Sequence, residues 1–528
     1  MDTRVVKKKL GLKDRYAAMT RGLGWETSYQ PMDKVFPHDK YEGIKIHDWD
    51  QWQDPFRLTM DAYWKYQGEK EKKLYAVIEA FAQNNGQLGV SDARYINALK
   101  LFIQGVTPLE YYAHRGFAHV GRQFTGEGAR VAAQMQSIDE LRHYQTETHA
   151  LSHYNKYFNG LHHSNHWYDR VWYLSVPKSF FEDAITGGPF EFLVAVSFSF
   201  EYVLTNLLFV PFMSGAAHNG DMSTVTFGFS AQSDESRHMT LGIECIKFLL
   251  EQDPANVPIV QKWIDKWFWR GYRLLTLVAM MQDYMLPKRV MSWKEAWEMY
   301  AEQNGGALFK DLARYGIREP KGWKDACEGK DHISHQAWAT FYTYNAAAPF
   351  HTWVPTDEEM AWLSEKYPES FDRLYRPRLE HLRAQQQQGQ RFYSKTLPML
   401  CNTCQVPMLF TEPGDATQQC YRESDWRGNK YHFCSDHCKG IFDEEPEKFS
   451  QSWLPVHQIY QGNCFDPGTD PTAEGFDPLM AVLKHYQLEV GRDNFDFEGS
   501  EDQKNFAAWR GDAPTAPAAP ATTQGEQA

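Results

Sequence analysis

The chain has 528 residues, of which 42% are hydrophobic and 15% aromatic, and its formal net charge is −13. A chain of this length is too long for one ordinary domain and can bury a large core. The acidic balance argues against nucleic-acid binding through a broad basic face. No apolar segment follows the lysines near the N-terminus, so we expect no signal peptide and a cytoplasmic protein.

Composition along the chain predicts five regions. They are an N-terminal arm with some helix (1–90), a long helical domain (91–385), a cysteine-rich module (398–452), a segment that wraps over the main body (453–510) and a disordered Ala/Pro/Thr-rich tail (511–528). We expect the arm to make subunit contacts.

The helical domain contains several long helices. Asp92 is a predicted N-cap for a helix that begins at Ala93, and residues 127–157 keep apolar residues at helical spacing with few breakers. A further helix is predicted from Met222 to Gln252, where Asp253-Pro254 follows.

The apolar run from Phe190 to Met213 predicts another long helix, which we expect to end at Pro211 and the small polar residues after it. The run is long enough to cross a membrane. It carries Glu201 near its centre, and a central carboxylate is costly in lipid. A buried core helix with one functional acid, and no membrane partner, is therefore the favoured interpretation.

Two copies of one motif lie in these helices. Residues 139–143 are Asp-Glu-Leu-Arg-His, and residues 234–238 are Asp-Glu-Ser-Arg-His. A glutamate and a histidine three residues apart share one face of an α-helix. Glu110 and Glu201 each precede one copy. A Glu-x-x-His on each of two helices, plus one glutamate from each of two others, is the ligand set of di-iron carboxylate bundles.

The predicted fold is therefore mainly α, with a ferritin-like di-iron four-helix bundle inside a larger helical subunit. The predicted iron ligands are Glu110, Glu140, His143, Glu201, Glu235 and His238. Four carboxylates neutralise two ferrous ions, which removes the penalty for uncompensated buried charge. Ligating histidines usually donate their second N–H to a carboxylate. Asp139 and Asp234 are predicted to accept these bonds, held in turn by Arg142 and Arg237.

Other residues of these helices are weaker candidates. Thr205 lies one turn after Glu201 and would face the metals, and Asn206 is a polar residue in an apolar run that needs a partner or water. Residues that could line an apolar substrate pocket are Val106, Ala113, Phe180, Val196, Phe200 and Phe209.

Four cysteines in the C-terminal module have metal-ligand spacing. Cys401-x2-Cys404 and Cys434-x3-Cys438 predict a closed tetrahedral zinc site with a structural role, with mononuclear iron as the alternative. Possible substitute ligands are Cys420, His432 and His437. The remaining thiols, Cys245, Cys327 and Cys464, are expected to be free.

Taken together, the motifs around residues 110, 139–143, 201 and 234–238 resemble those of the large (α) hydroxylase subunit of bacterial multicomponent monooxygenases. Residues 431–435, Tyr-His-Phe-Cys-Ser, resemble a YHS-type metal module, a feature that favours the phenol hydroxylase oxygenase component within that family. The likeness runs to about residue 510.

The resemblance implies a phenol monooxygenase that inserts one atom of O2 into an aromatic ring, forming a catechol. It implies a di-iron centre with Thr205 in O2 and proton handling, and Asn206 in the response to a regulatory protein. It also implies β and γ subunits in an (αβγ)2 assembly, and a small regulatory protein. Electrons from NAD(P)H would arrive through a reductase carrying FAD and a [2Fe–2S] centre. Consistent with that division, the sequence has neither a Gly-x-Gly-x-x-Gly fingerprint nor a second cysteine cluster.

Three other functions fit parts of the pattern. Toluene and alkene monooxygenases share the ligand motifs, so the motifs do not fix the substrate. A ferritin-like iron storage protein has the same bundle, but such chains are far shorter and need no zinc module. A non-catalytic scaffold subunit should lack ligands, whereas all six are present here.

Overall fold

In a computed structural model, the described residues are 9–452 with gaps, together with 466, 468–470, 472–476 and 481. The gaps are 24–27, 37–40, 55, 91, 159–160, 162–171, 287–288, 345–351, 389–397, 409–410, 413–414 and 420. The predicted disordered tail and most of the predicted C-terminal wrap lie outside the described residues. The predicted region boundaries therefore stay predictions.

The described chain is mainly helical, as predicted. The α-helices are α1 (Leu12–Thr20), α2 (Met32–Val35), α3 (Met60–Gln83), α4 (Ala93–Gln123), α5 (Glu127–Ser152), α6 (Ser175–Thr186), α7 (Pro189–Leu193), α8 (Asn206–His218), α9 (Met222–Gln252), α10 (Asn256–Leu274), α11 (Thr276–Met280), α12 (Trp293–Ala296), α13 (Asn304–Leu312), α14 (Trp323–Gly329), α15 (Ile333–Thr343), α16 (Asp357–Lys366), α17 (Arg376–Gln387), α18 (Asp436–Glu444) and α19 (Pro446–Phe449). Four π-helical segments are Val194–Tyr202, Met281–Met285, Trp297–Gln303 and Phe371–Tyr375. Short 3-10 turns are Trp49–Gln51, Gly86–Gly89, His153–Lys156, Trp172–Leu174 and Ala313–Tyr315.

The central bundle consists of α4, α5, α9 and the broken rod formed by α7, the π-helix 194–202 and α8. Asp92 caps α4 by accepting a hydrogen bond from the Arg94 N–H at 2.8 Å, as predicted. Asp221 caps α9 by accepting one from the Thr224 N–H at 3.0 Å, and α9 has the predicted bounds. These caps set where the two helices begin, and so the positions of the acids that they carry.

The apolar run from Phe190 to Met213 is not one regular helix. A π-helix spans Val194–Tyr202, and α8 starts again at Asn206 and continues through Pro211 to His218. Pro211 itself does not end the helix, which ends at His218, within the small polar run that was also predicted to end it. Proline removes only one backbone donor, and its neighbours Leu208, Phe209 and Phe212 are buried, so packing outweighs that loss.

This rod also bears on membrane insertion. Within the described ranges, the structure contains no single helix that is long and apolar enough to cross a membrane. The two halves Pro189–Tyr202 and Asn206–His218 are bent by 42° at their break, and they pass that test only as a pair.

The N-terminal arm, predicted to contain some helix, includes the long helix α3. Its 24 residues pack against α9, and its side chains make hydrogen bonds to α5, such as Arg142 to Glu71 at 2.6 Å. Tyr63, Gln67, Leu74 and Ile78 form its buried face at helical spacing. The predicted arm therefore contributes one long helix to the wall of the bundle.

The C-terminal module is built from two short antiparallel pairs and two short helices. Strands β1 (Thr411–Glu412) and β2 (Asp415–Gln419) pair, and β3 (Arg422–Trp426) pairs with β4 (Asn429–Phe433). The module docks on α10, where the Lys266 ammonium donates to Glu445 at 3.1 Å and the Trp269 ring contacts His437 with centroids 4.3 Å apart. Docking on α10 connects the module to the same hydrophobic core as the bundle.

Candidate metal centres

Six predicted ligands converge inside the bundle. Glu110 comes from α4, Glu140 and His143 from α5, Glu201 from the π-helix, and Glu235 and His238 from α9. None of the six is more than 8% exposed. The π-helix has a wider turn than an α-helix, and such segments are frequent at functional sites. The wider turn sets the position of Glu201 in this rod.

The donor atoms form two groups that share a carboxylate. Glu110, Glu140 and His143 have ligand atoms within 4.8 Å of one another, as do Glu140, Glu201 and His238. The His143 Nδ1 atom is 3.3 Å from Glu110 Oε2 and 3.4 Å from Glu140 Oε2. On the other side, His238 Nδ1 is 3.3 Å from Glu140 Oε1.

Glu235 spans the same two groups from the opposite helix. Its Oε1 is 3.9 Å from His143 Nδ1, and its Oε2 is 3.5 Å from His238 Nδ1. Metal bonds of roughly 2.1 Å place neighbouring octahedral ligand atoms about 3 Å apart. The observed separations therefore suit two adjacent metal ions, which Glu140 and Glu235 would help to hold because each lies near both histidines.

The buried carboxylates of the site need positive charge to neutralise them. Burial raises the pKa of Glu110 and Glu201 well above the usual range, and neighbouring carboxylates add to both shifts. Burial lowers the pKa of His143 and His238, but the surrounding carboxylates outweigh it and raise both values. Protons on these groups supply the positive charge that two divalent ions would supply instead. His238 Nδ1 and Glu235 Oε2 have no hydrogen-bond partner among the described residues, which leaves both atoms available to a metal.

The aspartates of the two motifs serve each other's histidines. His143 Nε2 is 3.2 Å from Asp234 Oδ2, and His238 Nε2 is 3.4 Å from Asp139 Oδ2. A carboxylate at Nε2 favours the tautomer with its proton there, so Nδ1 faces the centre as an acceptor. Arg142 contacts both aspartates at 3.0 and 3.3 Å. Arg237 also contacts both aspartates.

Helix α3 completes this outer layer, which the sequence interpretation missed. The Gln67 amide donates to Asp139 at 2.8 Å and to Asp234 at 2.9 Å, and the Tyr63 hydroxyl donates to Asp139 at 2.7 Å. The Lys70 ammonium pairs with Asp234. The spacing of Tyr63, Gln67 and Lys70 is helical, so a buried polar face was visible in the sequence, but nothing there indicated its target.

Two further buried polar residues on α5 were also missed. The Gln136 amide lies one turn before Glu140 and donates to Glu140 and Glu201, each at 3.0 Å. Glu147 lies one turn after His143 and is 1% exposed. Burial raises the pKa of Glu147 to about 7, against the opposing charge of His143. Both follow the same helical face as the motif itself.

Thr205 and Asn206 sit at the junction of the π-helix and α8. Thr205 is buried, and its N–H bonds the Glu201 carbonyl at 3.4 Å. Asn206 is only half-buried, so water can satisfy its amide. The structure thus separates the two predicted residues: Thr205 faces the interior and Asn206 the periphery.

The predicted substrate-pocket residues are all buried in the hydrophobic core around the bundle. On α4, Val106 lies one turn before Glu110 and Ala113 nearly one turn after it. The Phe180 ring from α6 packs against Phe200, next to Glu201, with centroids 5.7 Å apart. The two other predicted pocket residues are Val196, on the π-helix, and Phe209, on α8. All six belong to the apolar core that surrounds the acids, and their role as pocket residues stays a prediction.

The four predicted cysteine ligands form a second, separate cluster. Their Sγ atoms all lie within 4.8 Å of one another, with 3.5 Å between Cys404 and Cys434 and 3.7 Å between Cys434 and Cys438. Tetrahedral bonds of about 2.3 Å place sulfur atoms about 3.8 Å apart. The cluster therefore fits a zinc ion. Burial lowers the pKa of the nearby Arg273 guanidinium on α10, but the thiolates of the cluster outweigh it and raise that pKa.

The proposed substitute ligands lie elsewhere or outside the described residues. The His432 ring bonds the Tyr421 hydroxyl at 2.7 Å, and the His437 ring bonds Asp325 at 2.6 Å. Cys420 and Cys464 are not among the described residues. Free thiols elsewhere in the described ranges include Cys245, which is buried, and Cys327, which is half-buried. The four-cysteine set therefore stands without the two histidines.

Comparison with protein families matches residues 25–253 to the methane/phenol/alkene hydroxylase family and residues 410–453 to the YHS domain. The first match spans all six acids and histidines of the bundle. The second includes Cys434 and Cys438.

Curated relatives match nearly the whole chain. It is 64% identical to the phenol 2-monooxygenase oxygenase component DmpN of Pseudomonas sp. (strain CF600), over 98% of each chain. It is 26% identical to the oxygenase component α subunit of the alkene monooxygenase system of Xanthobacter autotrophicus, over 93% of this chain and 97% of that protein. The crystal structure of xenon-pressurised phenol hydroxylase from Pseudomonas sp. OX1 superposes with a TM-score of 0.89 at 65% identity, over 95% of this chain and all of that one.

Proposed function

The chain belongs to the methane/phenol/alkene hydroxylase family, and we propose that it is the oxygen-activating hydroxylase subunit of a multicomponent phenol monooxygenase. Phenol would be converted to a catechol: a ring C–H becomes C–OH, the second oxygen atom leaves as water, and two electrons and two protons come from outside. Two iron ions would supply O2 activation, and the zinc-type cluster would have a structural role.

The residues proposed to hold the iron are Glu110, Glu140, His143, Glu201, Glu235 and His238. One observation carries this assignment: two donor groups share Glu140, and each histidine turns Nδ1 inward while its Nε2 meets the aspartate of the other motif. Asp139 and Asp234 would fix ring orientation, and Arg142 and Arg237 would balance their charge.

The chain's own residues would do three further things. The apolar wall formed by Val106, Ala113, Phe180, Val196, Phe200 and Phe209 would hold the aromatic ring and exclude water. Buried Thr205 would hold or move a proton next to Glu201. The half-buried Asn206 would respond to the binding of the regulatory protein at the periphery of the bundle. The four cysteines, Cys401, Cys404, Cys434 and Cys438, would hold zinc.

The relatives are components of multicomponent monooxygenase systems, so partner proteins are implied. We propose β and γ hydroxylase subunits in an (αβγ)2 assembly, a small regulatory protein, and a reductase that passes electrons from NAD(P)H through FAD and a [2Fe–2S] centre. A cytoplasmic location goes with that electron supply.

The test is metal analysis of the purified hydroxylase, with iron and zinc counted separately, followed by turnover of phenol with the partner proteins. Two iron ions and one zinc ion per chain, with catechol as product, are expected. Iron loading far beyond two per chain would instead favour a storage protein. A substrate panel in which toluene or an alkene exceeds phenol in kcat/KM would replace the proposed substrate.

A further inference from the structure

Glu147 is a buried acid beside the six proposed iron ligands, and no role has yet been assigned to it. It lies on α5 one turn after His143, and the charges of His143, Glu140 and Glu235 all act on it. It also acts on Glu110. Four helical residues rise about 6 Å along the axis, so its carboxylate lies beside the metal ligands at one end of the site.

No hydrogen-bond donor of the described chain satisfies this carboxylate. Both of its oxygens are buried and lack a hydrogen-bond partner among the described residues. The Thr107 hydroxyl on α4 lies near enough to lower the pKa of Glu147, yet it too makes no hydrogen bond of normal geometry there. Glu140 and Glu201 differ in this respect, since both accept a hydrogen bond from the Gln136 amide.

A buried polar group without a partner is costly, and natural proteins rarely leave one. Thr107 has one hydroxyl proton and can serve at most one oxygen of Glu147, so the other oxygen needs a donor beyond the described residues, which we expect from a bound molecule. Two sources share the required chemistry, a hydroxyl group: a water bound at the metals, or the hydroxyl of the substrate. The surroundings favour the second, because Ile103, one turn before Thr107, and Leu151, one turn after Glu147, are buried and apolar on the same helix faces.

We propose that Glu147, with Thr107 beside it, accepts the hydrogen bond of the substrate's ring hydroxyl, and so selects hydroxylated arenes over hydrocarbons. The inference rests on the proposed function and names the substrate class of that same site. Anchoring the hydroxyl at one end of the site also fixes which ring carbon faces the metals. Sites built to bond a hydroxyl reject analogues that lack it, because their polar group is then left unpaired.

The test uses the complete hydroxylase and equilibrium binding of phenol and benzene, which differ by the hydroxyl. Glu147→Leu should weaken phenol binding by about 10- to 100-fold, the range for a lost hydrogen bond to a charged group. Benzene binding should change less than about 2-fold, since apolar contact remains. Glu147→Gln keeps an acceptor and should retain most of the affinity. Gln145→Leu, on the exposed face of the same helix, is the matched control.

Turnover gives a second readout. In Glu147→Leu the ratio of kcat/KM for phenol over toluene should fall by the same factor, and the products from phenol should spread over more ring positions. Equal loss of binding for phenol and benzene, or equal loss of kcat/KM for phenol and toluene, would point to a metal-bound water or a structural role and overturn the inference. An unchanged ratio would also overturn it. Wild-type protein that fails to hydroxylate phenol would count against the proposed function itself.

Discussion

Replacement of Gln67 by alanine tests whether α3 is part of the proposed iron site. The Gln67 amide donates to Asp139 at 2.8 Å and to Asp234 at 2.9 Å, so one side chain holds both aspartates. Without it, each aspartate loses a donor in a buried setting, and each histidine is less firmly oriented. Arg142, Arg237 and Lys70 would still hold the aspartates, so the site should weaken rather than collapse.

The magnitude follows from the number and kind of bonds lost. A hydrogen bond to a charged group contributes about 1.5–3 kcal/mol net. Part of that loss is recovered by the remaining cations, and loss of an outer partner typically lowers metal affinity about 10- to 100-fold. We therefore expect Gln67→Ala to weaken Fe(II) binding by that factor, or about 1.4–2.7 kcal/mol. Gln67→Glu should weaken it more, because a third carboxylate would face two others.

The assay is anaerobic competition for Fe(II) between the hydroxylase and a chelator of known affinity. Gln83→Ala, at the exposed end of the same helix, makes the same chemical change away from the site and should bind iron like wild type. If Gln67→Ala bound iron within about 2-fold of wild type, the idea that α3 orients the histidines through the aspartates would be refuted.

Three other changes probe separate parts of the molecule. His143→Ala should abolish hydroxylation, measured as catechol formed, while size-exclusion chromatography shows an intact assembly; unchanged turnover would remove the residue from the ligand set. Cys434→Ser should lose zinc but keep iron by elemental analysis, whereas Cys327→Ser, a free thiol outside the cluster, should keep both. Burial alone would raise the pKa of Asp183, but its cationic neighbours, Lys266 first, outweigh it and lower that pKa to about 2. The charged carboxylate then adds about 2 kcal/mol of stability above about pH 4, lost as pH falls toward 2, and Asp183→Asn should remove that dependence in thermal melts.

Much of the bundle could be predicted because its helices have local signals. Asp92 caps α4, α9 ends before Asp253-Pro254, and a glutamate three residues before a histidine marks one helical face. These features depend on residues close in sequence. Their meeting in space was inferred from the repeated motif, because one known arrangement of four helices uses that set of residue types.

The parts that could not be predicted depend on distant contacts. The bonds between α3 and the aspartates join residues more than 70 positions apart, and no local pattern encodes their partners. The π-helix around Glu201 was also missed, because helical periodicity does not distinguish it from an α-helix over so short a run. Pro211 does not end α8, because the burial of its neighbours outweighs the local tendency of proline to break a helix.

The crossed arrangement of the aspartates has a consequence for how the protein would acquire its metals. Each motif supplies one histidine and the carboxylate that steers the other motif's histidine. An ion bound by the histidine of one motif would fix the orientation of that motif, including its aspartate. That aspartate orients the histidine of the other motif, so the second ion would bind more readily. Metal binding should therefore be cooperative, with little protein that carries a single ion. A substitution in either motif should lead to loss of both ions.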